Sequence, residues 1–258
     1  MYDISVIVAT LRRDTLTKTV ESIRNQLGNI SIQLLVRYDP EVNEYISRDL
    51  AVKDADSDYI AFVDDDAYYD NNAVVNALKY LRQGYQFVEA TVTGNIFGRG
   101  NTTLTSDYLG VGTAQFMTRK AYEEVSGFPD YGSKPSDGWR QDTALLYKII
   151  NIYGDKSYIH AHDVIVHHPD MMQSQWNPYI EIQFYNDYKS LIHKYIYPID
   201  DRIKDIVAHI DLLTYVANLL GKDKFNEIIL SYNRALIHPE VYEIFEKIKR
   251  KGGDKIES

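Results

Sequence analysis

The chain has 258 residues, with 37 acidic against 28 basic side chains and a pI of about 5.3. That length suits one large domain, or one with an appendage, better than two unrelated full-size domains. The acidic balance argues against a surface built to neutralise nucleic-acid phosphates, and the absence of cysteine leaves only oxygen or imidazole to hold a metal.

The opening Met-Tyr-Asp enters a strand at once, and no uncharged run approaches the ~18 residues that span a bilayer, so a soluble cytoplasmic protein is expected. Ile4 to Ala9 is a continuous apolar run with one Ser. Asp14 then precedes a helical pattern with Leu16, Val20, Ile23 and Leu27 on one face. Ile32 to Tyr38 reads as the next strand, Val42 to Lys53 as a second helix and Tyr59 to Val63 as a third strand. This alternation predicts a parallel sheet with helices on its faces.

Asn72 is placed to cap a helix carrying Val74, Val75, Leu78 and Leu81, and Phe87 to Thr93 reads as a strand. From Gly94 to Gly112 the composition shifts to Gly, Thr, Ser and Asn, the mark of a loop over a site or of an ordinary surface excursion. Val111 to Met117 resumes strand character, Arg119 to Val125 predicts a short helix, and Gly127-Phe-Pro-Asp130 begins an irregular stretch. Asp142 then opens a helix containing Leu145, Leu146, Ile149 and Ile150, and Val164 to Val166 is the last strand. From about residue 174 the pattern is helical, in segments near 174–196, 202–220, 222–237 and 239–250.

The most informative feature is the run Asp64-Asp65-Asp66, released by the apolar strand Tyr59 to Val63. Open α/β sheets bind ligands at the carboxyl ends of their strands, and hard cations such as Mg²⁺ and Mn²⁺ prefer carboxylates together with substrate phosphates. A divalent cation and a nucleoside diphosphate are therefore the first candidates, against the plainer alternative of a solvated loop.

Several motifs taken together resemble those of the family-2 glycosyltransferases, which have the GT-A fold and use nucleotide-sugar donors. They are Ser5-Val-Ile-Val-Ala-Thr10, Arg48-Asp-Leu-Ala51, Tyr59-Ile-Ala-Phe-Val-Asp-Asp-Asp66, Gly127-Phe-Pro-Asp130 and Gln141-Asp-Thr143. The resemblance implies an α/β domain over residues 1–170, with a Rossmann-type mixed, mostly parallel sheet flanked by helices, and a helical C-terminal extension over 171–258. It also implies Mn²⁺ or Mg²⁺, a UDP- or GDP-linked sugar donor, a glycan, lipid-linked or small-molecule acceptor, and inversion at the sugar. By similarity Asp64 addresses the ribose and Asp66 the metal, with Asp65 open between the two. Asp39 would read the nucleobase, and Arg48 and Thr10 would lie at the nucleotide.

Such a transfer needs a general base for the acceptor hydroxyl, and Asp142, at the N-terminal end of its helix, is the candidate. Its alternative is a plain N-cap, and Asp137 is the reserve. The family's Glu-Asp is Gln141-Asp142 here, and Leu11-Arg12-Arg13 replaces the family's Tyr-Asn, so Arg12 or Arg13 becomes a candidate for a phosphate. Some related enzymes complete the metal shell with a histidine, for which His167 is chosen and His168 held second, because neighbours on a strand face opposite ways. Trp139 is a candidate for sugar stacking or for a core anchor.

The apolar face Ile206, Ile210, Leu213 and Ala217 is expected to pack on the catalytic domain or on a second subunit. The Lys247 to Lys251 cluster suits peripheral contact with anionic lipid, or simply a cationic helix end. Two other functions compete. A sugar-phosphate nucleotidyltransferase would show a glycine-rich loop after the first strand, where Thr10-Leu-Arg-Arg13 has none. A non-catalytic nucleotide-sugar or glycan-binding module would fit a decayed Gln141.

Overall fold

Two apolar runs make the centre of the sheet. The computed structural model describes residues 1–96, 101–104, 110–134, 137–138, 140–171, 177–196, 202–231 and 239–253. Ile4–Ala9 (β1) lies between Ile32–Arg37 (β2) and Tyr59–Phe62 (β3), parallel to both. Buried on both faces, β1 and β3 need apolar residues at nearly every position, which is why their sequences run rather than alternate. The one polar residue in β1, Ser5, is satisfied by Gln33 Oε1 at 2.6 Å and Ser57 Oγ at 2.8 Å.

Beyond β3 the sheet continues through Gln115–Thr118 (β7), Phe87–Ile96 (β5), Tyr158–Met171 (β8) and the two-residue Tyr68–Tyr69 (β4), while Asn101–Leu104 (β6) pairs with β5. With β1 as reference, β2, β3, β5 and β8 run the same way and β4, β6 and β7 run against it. The sheet is thus mixed, with the majority direction set by the parallel strands.

The helices Leu16–Arg24 (α1) and Ala73–Arg82 (α3) cover one face, where Ile23, Val74, Ala77, Leu78 and Leu81 join Ile4, Val6 and Val8 in one core. Leu27, expected on the α1 face, lies past the helix end and is exposed, because the helix stops at Arg24. Glu44–Val52 (α2) begins at Asn43, whose Oδ1 accepts from the amides of Tyr45 at 3.1 Å and Ile46 at 3.0 Å. The Asn43 side-chain amide donates to Gly132 O at 2.5 Å and so ties the irregular stretch to α2. Arg119–Glu124 (α4) and Gln141–Tyr153 (α5) complete this unit.

Gly127-Phe-Pro-Asp130 is fastened from two sides. Asp49 accepts from the Tyr122 hydroxyl and from the Phe128 amide, and Lys148 Nζ donates to Gly127 O at 2.7 Å. Gly127 is left-handed (φ +64°), and a Cβ there would stand 2.5 Å from Asp49 Oδ1, so the position requires glycine.

Three sequence expectations change here. The Gly-rich stretch after Gly94 contains β6, while residues 97–100 and 105–109 lie outside the described residues. Val111 to Met117 is not one strand, because a 3₁₀ turn at Gly112–Ala114 precedes β7. The last strand runs from Tyr158 to Met171, far beyond Val164 to Val166.

The chain divides into two compact units, Met1–Ser174 and Gln175–Ser258, against an expected division after residue 170. The second unit contains Pro178–Leu191 (α6), Arg202–Leu220 (α7), Lys222–Ser231 (α8) and Pro239–Gly253 (α9). Phe184, Phe225 and Phe245 form its apolar centre. Ile210, Leu213 and Ala217 are buried, and α7 packs on α6, α8 and α9 of the same unit. Among the described residues, no helix is long and apolar enough to cross a membrane.

Candidate functional site

The three carboxylates after β3 have different main partners, although Asp64 and Asp66 share His168. Asp64 Oδ1 accepts from Arg48 Nη2 at 2.5 Å. Asp65 is buried and turned toward the end of β1, where its Oδ2 accepts from Thr10 Oγ1 at 2.7 Å and from the Leu11 amide at 3.1 Å. Asp66 Oδ2 pairs with Arg13 Nη1, and its Oδ1 lies 3.2 Å from His168 Nε2. His168 Nε2 is also 3.7 Å from Asp64 Oδ2. Asp65 and Thr10 therefore fix the loop after β1, while Asp64 and Asp66 face a common point with His168.

His167, the histidine chosen from the sequence, does not reach that point. Its Nδ1 lies 2.8 Å from Thr93 Oγ1, and its ring stacks on Tyr68 at 4.9 Å. The alternation argument holds, but its phase is the opposite one. Phase is set by the pairing of β8 with β5, which shifts register at Ala90/Thr91 and at Gly94/Asn95. Gly94 lies opposite His168 in this ladder, and a Cβ on it would come within 2.0 Å of His168 O. Only a glycine lets β5 approach this closely.

The ligand atoms of Asp64, Asp66 and His168 lie within 4.8 Å of one another. Two carboxylates and an imidazole suit a hard or borderline divalent cation. Burial works against a charged His168, but its bonds to Asp64 and Asp66 outweigh that and push it up to about 9. Burial likewise opposes ionisation of Asp64, yet His168 and Arg48 hold its carboxyl below the usual carboxylate range.

Arg48 is fully buried among the rings of Tyr45 (5.1 Å) and Phe62 (5.6 Å). Among the described residues its Nε and Nη1 have no hydrogen-bond partner. Burial disfavours its charge, but Glu44 and Asp64 outweigh that and raise its proton affinity further, so it stays a fixed cation. Two unmade donors on a buried guanidinium are costly, and oxygen atoms of a ligand would satisfy them.

Asp142 is the second residue of α5, so its carboxylate does not serve as the N-cap. Oδ1 accepts from the Thr143 amide at 2.7 Å and Oδ2 from the Gly112 amide at 3.2 Å. Burial raises its proton affinity, against the pull of the Thr143 amide, Arg140, Arg48 and the Gly112 amide. Gly112 joins the two halves of the site, since a Cβ there would stand 3.1 Å from Arg48 Nη1 and 3.6 Å from Asp142 Cβ. Gln141 is buried and donates to Asp137 O at 2.9 Å. Asp137 in turn accepts from the Lys134 amide at 3.2 Å, within its own turn. Trp139 lies outside the described residues.

Asp39, at the end of β2, accepts from Arg37 Nε at 2.5 Å and from Ser47 Oγ at 3.0 Å. Beside it the exposed Tyr38 ring carries Arg12 Cζ at 4.2 Å. The sequence reading missed Tyr38 and Glu89. Glu89 lay hidden because one acid in a strand has no motif to announce it.

No protein-family model matches the sequence, and no curated protein matches it significantly. Solved structures do match. Residues 1–349 of TarS from S. aureus in complex with UDP-GlcNAc align with TM-score 0.56 at 14% identity, over 70% of this chain and 64% of that one. The same TarS fragment, in a structure described without UDP-GlcNAc, aligns with TM-score 0.56 at 13% identity, over 90% and 78%. A further structure of TarS aligns with TM-score 0.55 at 13% identity, over 81% and 43%. This chain thus spans less than two thirds of the first of these. At such identities the likeness establishes the fold alone, a mixed sheet flanked by helices of the GT-A-like kind.

Proposed function

We propose that the chain is a metal-dependent glycosyltransferase that moves a sugar from a nucleoside-diphosphate donor to an acceptor hydroxyl, with inversion. One observation carries this reading: Asp64, Asp66 and His168 converge beside the buried Arg48 and its two unmade donors. Asp64 and Asp66 follow the carboxyl end of β3, the ligand-binding edge of such sheets. A fold match that holds UDP-GlcNAc favours a UDP-linked donor.

In this reading Asp64, Asp66 and His168 hold Mn²⁺ or Mg²⁺, with the imidazole favouring Mn²⁺. When bound, the cation offsets negative charge on the departing diphosphate oxygens. Asp39 addresses the base, and Arg48 offers Nε and Nη1 to donor oxygens while Nη2 holds Asp64 toward the ribose. Asp65 and Thr10 act one step back, by fixing the loop that carries Arg13. Arg13, half exposed and paired with Asp66, would share that carboxylate with a bound cation and would be a candidate for a donor phosphate.

Asp142 takes the proton of the acceptor hydroxyl as that oxygen bonds to the anomeric carbon and the carbon–diphosphate bond breaks. The Gly112 and Thr143 amides hold its carboxylate in one rotamer without protonating it. Its raised proton affinity makes it a better base than an exposed aspartate.

A panel of UDP- and GDP-sugars with Mn²⁺, assayed for nucleoside diphosphate release, tests the reading. Release that requires both Mn²⁺ and Asp142 is expected. Folded protein that takes up neither UDP nor GDP with Mn²⁺ in calorimetry would overturn it, and pyrophosphate chemistry would assign a nucleotidyltransferase instead.

A further inference from the structure

Glu89 is a carboxylate in the middle of β5 with 1% of its surface exposed, and no step above uses it. A buried acid is retained only where its acceptors are filled. Its Oε1 accepts from the Val111 amide at 3.0 Å and its Oε2 from the Tyr158 hydroxyl at 2.5 Å, and the neighbouring Gly110 amide also favours the charged carboxyl. The Val111 amide of this short segment thus ends on the buried carboxylate. The next amide in that segment, Gly112 N–H, donates to Asp142.

The segment is held with little slack on its other side as well. Gly110 is left-handed (φ +60°), and a Cβ on it would stand 2.9 Å from Asp142 O and 3.0 Å from Thr143 Cα. Gln115 Nε2 donates to Gly110 O at 2.6 Å and to Asp142 O at 3.3 Å. The turn is therefore clamped between Glu89 on the sheet and the first turn of α5. A shift of the turn displaces the amide that orients Asp142.

We propose that Glu89 is a positioning residue: by gripping the Val111 amide it places the next amide, Gly112 N–H, on Asp142 Oδ2 and so fixes the carboxylate in its working rotamer. Its catalytic meaning rests on the transferase reading above, whereas its structural content does not. Because the grip is charge-assisted, it weakens when Glu89 is protonated. The ionisable and polar groups around Glu89 are Tyr158 and His160 on β8, Gln115 on β7 and Asp142 on α5. Burial drives the Glu89 carboxyl up to about 7, Tyr158 and the two amides oppose this, and the charge of Asp142 adds to it. The grip is accordingly strongest above neutral pH.

Two substitutions test the proposal. Glu89→Gln keeps the shape and one carbonyl acceptor and removes the charge, whereas Glu89→Leu removes every acceptor. Donor Kd with Mn²⁺ should stay within about twofold of wild type in both, while kcat falls roughly 100-fold in Glu89→Leu, the scale of a small misplacement of a reacting group, and less in Glu89→Gln. In wild type kcat should decline as pH drops through about 7, and Glu89→Gln should lose that step.

Amide hydrogen exchange provides the readout that needs no turnover. Gly112 N–H should exchange faster in both variants while Phe116 in β7 keeps its protection. If no donor is turned over by the wild type, the transferase reading fails and the exchange result still decides whether Glu89 holds the turn. Glu89→Gln with wild-type kcat, an unchanged acid limb and unchanged Gly112 exchange would overturn the proposal.

Discussion

His168 Nε2 stands 3.2 Å from Asp66 Oδ1 and 3.7 Å from Asp64 Oδ2, so a proton and a metal ion bound by this proposed site would compete for the same nitrogen. The ring is held protonated up to about pH 9. Since a ligating imidazole must be neutral, apparent Mn²⁺ affinity should climb by up to about tenfold per pH unit below that value and level off above it. Calorimetry at several pH values checks this, and His168→Gln should flatten the slope.

The same shift predicts the opposite trend in stability without metal. His168 is raised above its ordinary value of 6.5, so its pairing stabilises the fold fully below about 6.5 and the stabilisation is lost as pH rises through about 9. Metal-free protein should therefore show a falling Tm across that window, and His168→Gln should lose the fall. An identical Tm profile in the two proteins would contradict the assignment.

Arg13 is half exposed and pairs with Asp66. Removing this tethered cation should tighten metal binding. An exposed ion pair is worth about 0.5–1 kcal/mol, so Arg13→Ala should lower the Kd for Mn²⁺ by about twofold to fivefold. Weaker binding in the variant would mean that Arg13 supports the site and does not compete for it.

Gly94→Ala should abolish metal binding although residue 94 carries no ligand. The added methyl would meet His168 O at 2.0 Å in a backbone region (φ +141°) that side chains rarely adopt, which costs at least about 1–3 kcal/mol. The ladder must then part where His168 is anchored. Loss of Mn²⁺ uptake together with a lower Tm is expected, and normal Mn²⁺ uptake would refute the close approach.

Asp142→Asn keeps the size of the side chain and removes the base. Transfer should fall by about 10²–10⁴-fold while donor binding stays near that of wild type. Normal turnover would remove Asp142 from the mechanism.

The parts of the site that lie next to one another in sequence were legible there. Asp64 to Asp66 follow an apolar strand that has to be buried, so their position at a sheet edge follows from composition. The choice between His167 and His168 was not legible, because β8 takes its phase from two register shifts against β5. The length of β8 was hidden by polar residues, His160, His162 and Asp163, which interrupt its apolar pattern. β4 is two residues long, and β6 sits in a Gly- and Thr-rich stretch whose composition favours loops. Glu89 illustrates the same limit: its role comes from amides of a distant segment, and backbone amides leave no trace in a sequence. The C-terminal helices were visible because their apolar faces repeat at the helical period, yet periodicity did not say that α7 would bury its face among α6, α8 and α9.

The strand order has a consequence for synthesis on the ribosome. β5 leaves the tunnel well before β8, its parallel neighbour, and the candidate ligand His168 arrives only with that later strand. Until then β5 offers a bare edge to other nascent chains. One pairing then covers the edge and brings in the histidine, so a polypeptide ending before β8 would keep an open strand edge and lack the third member of the Asp64, Asp66 and His168 group.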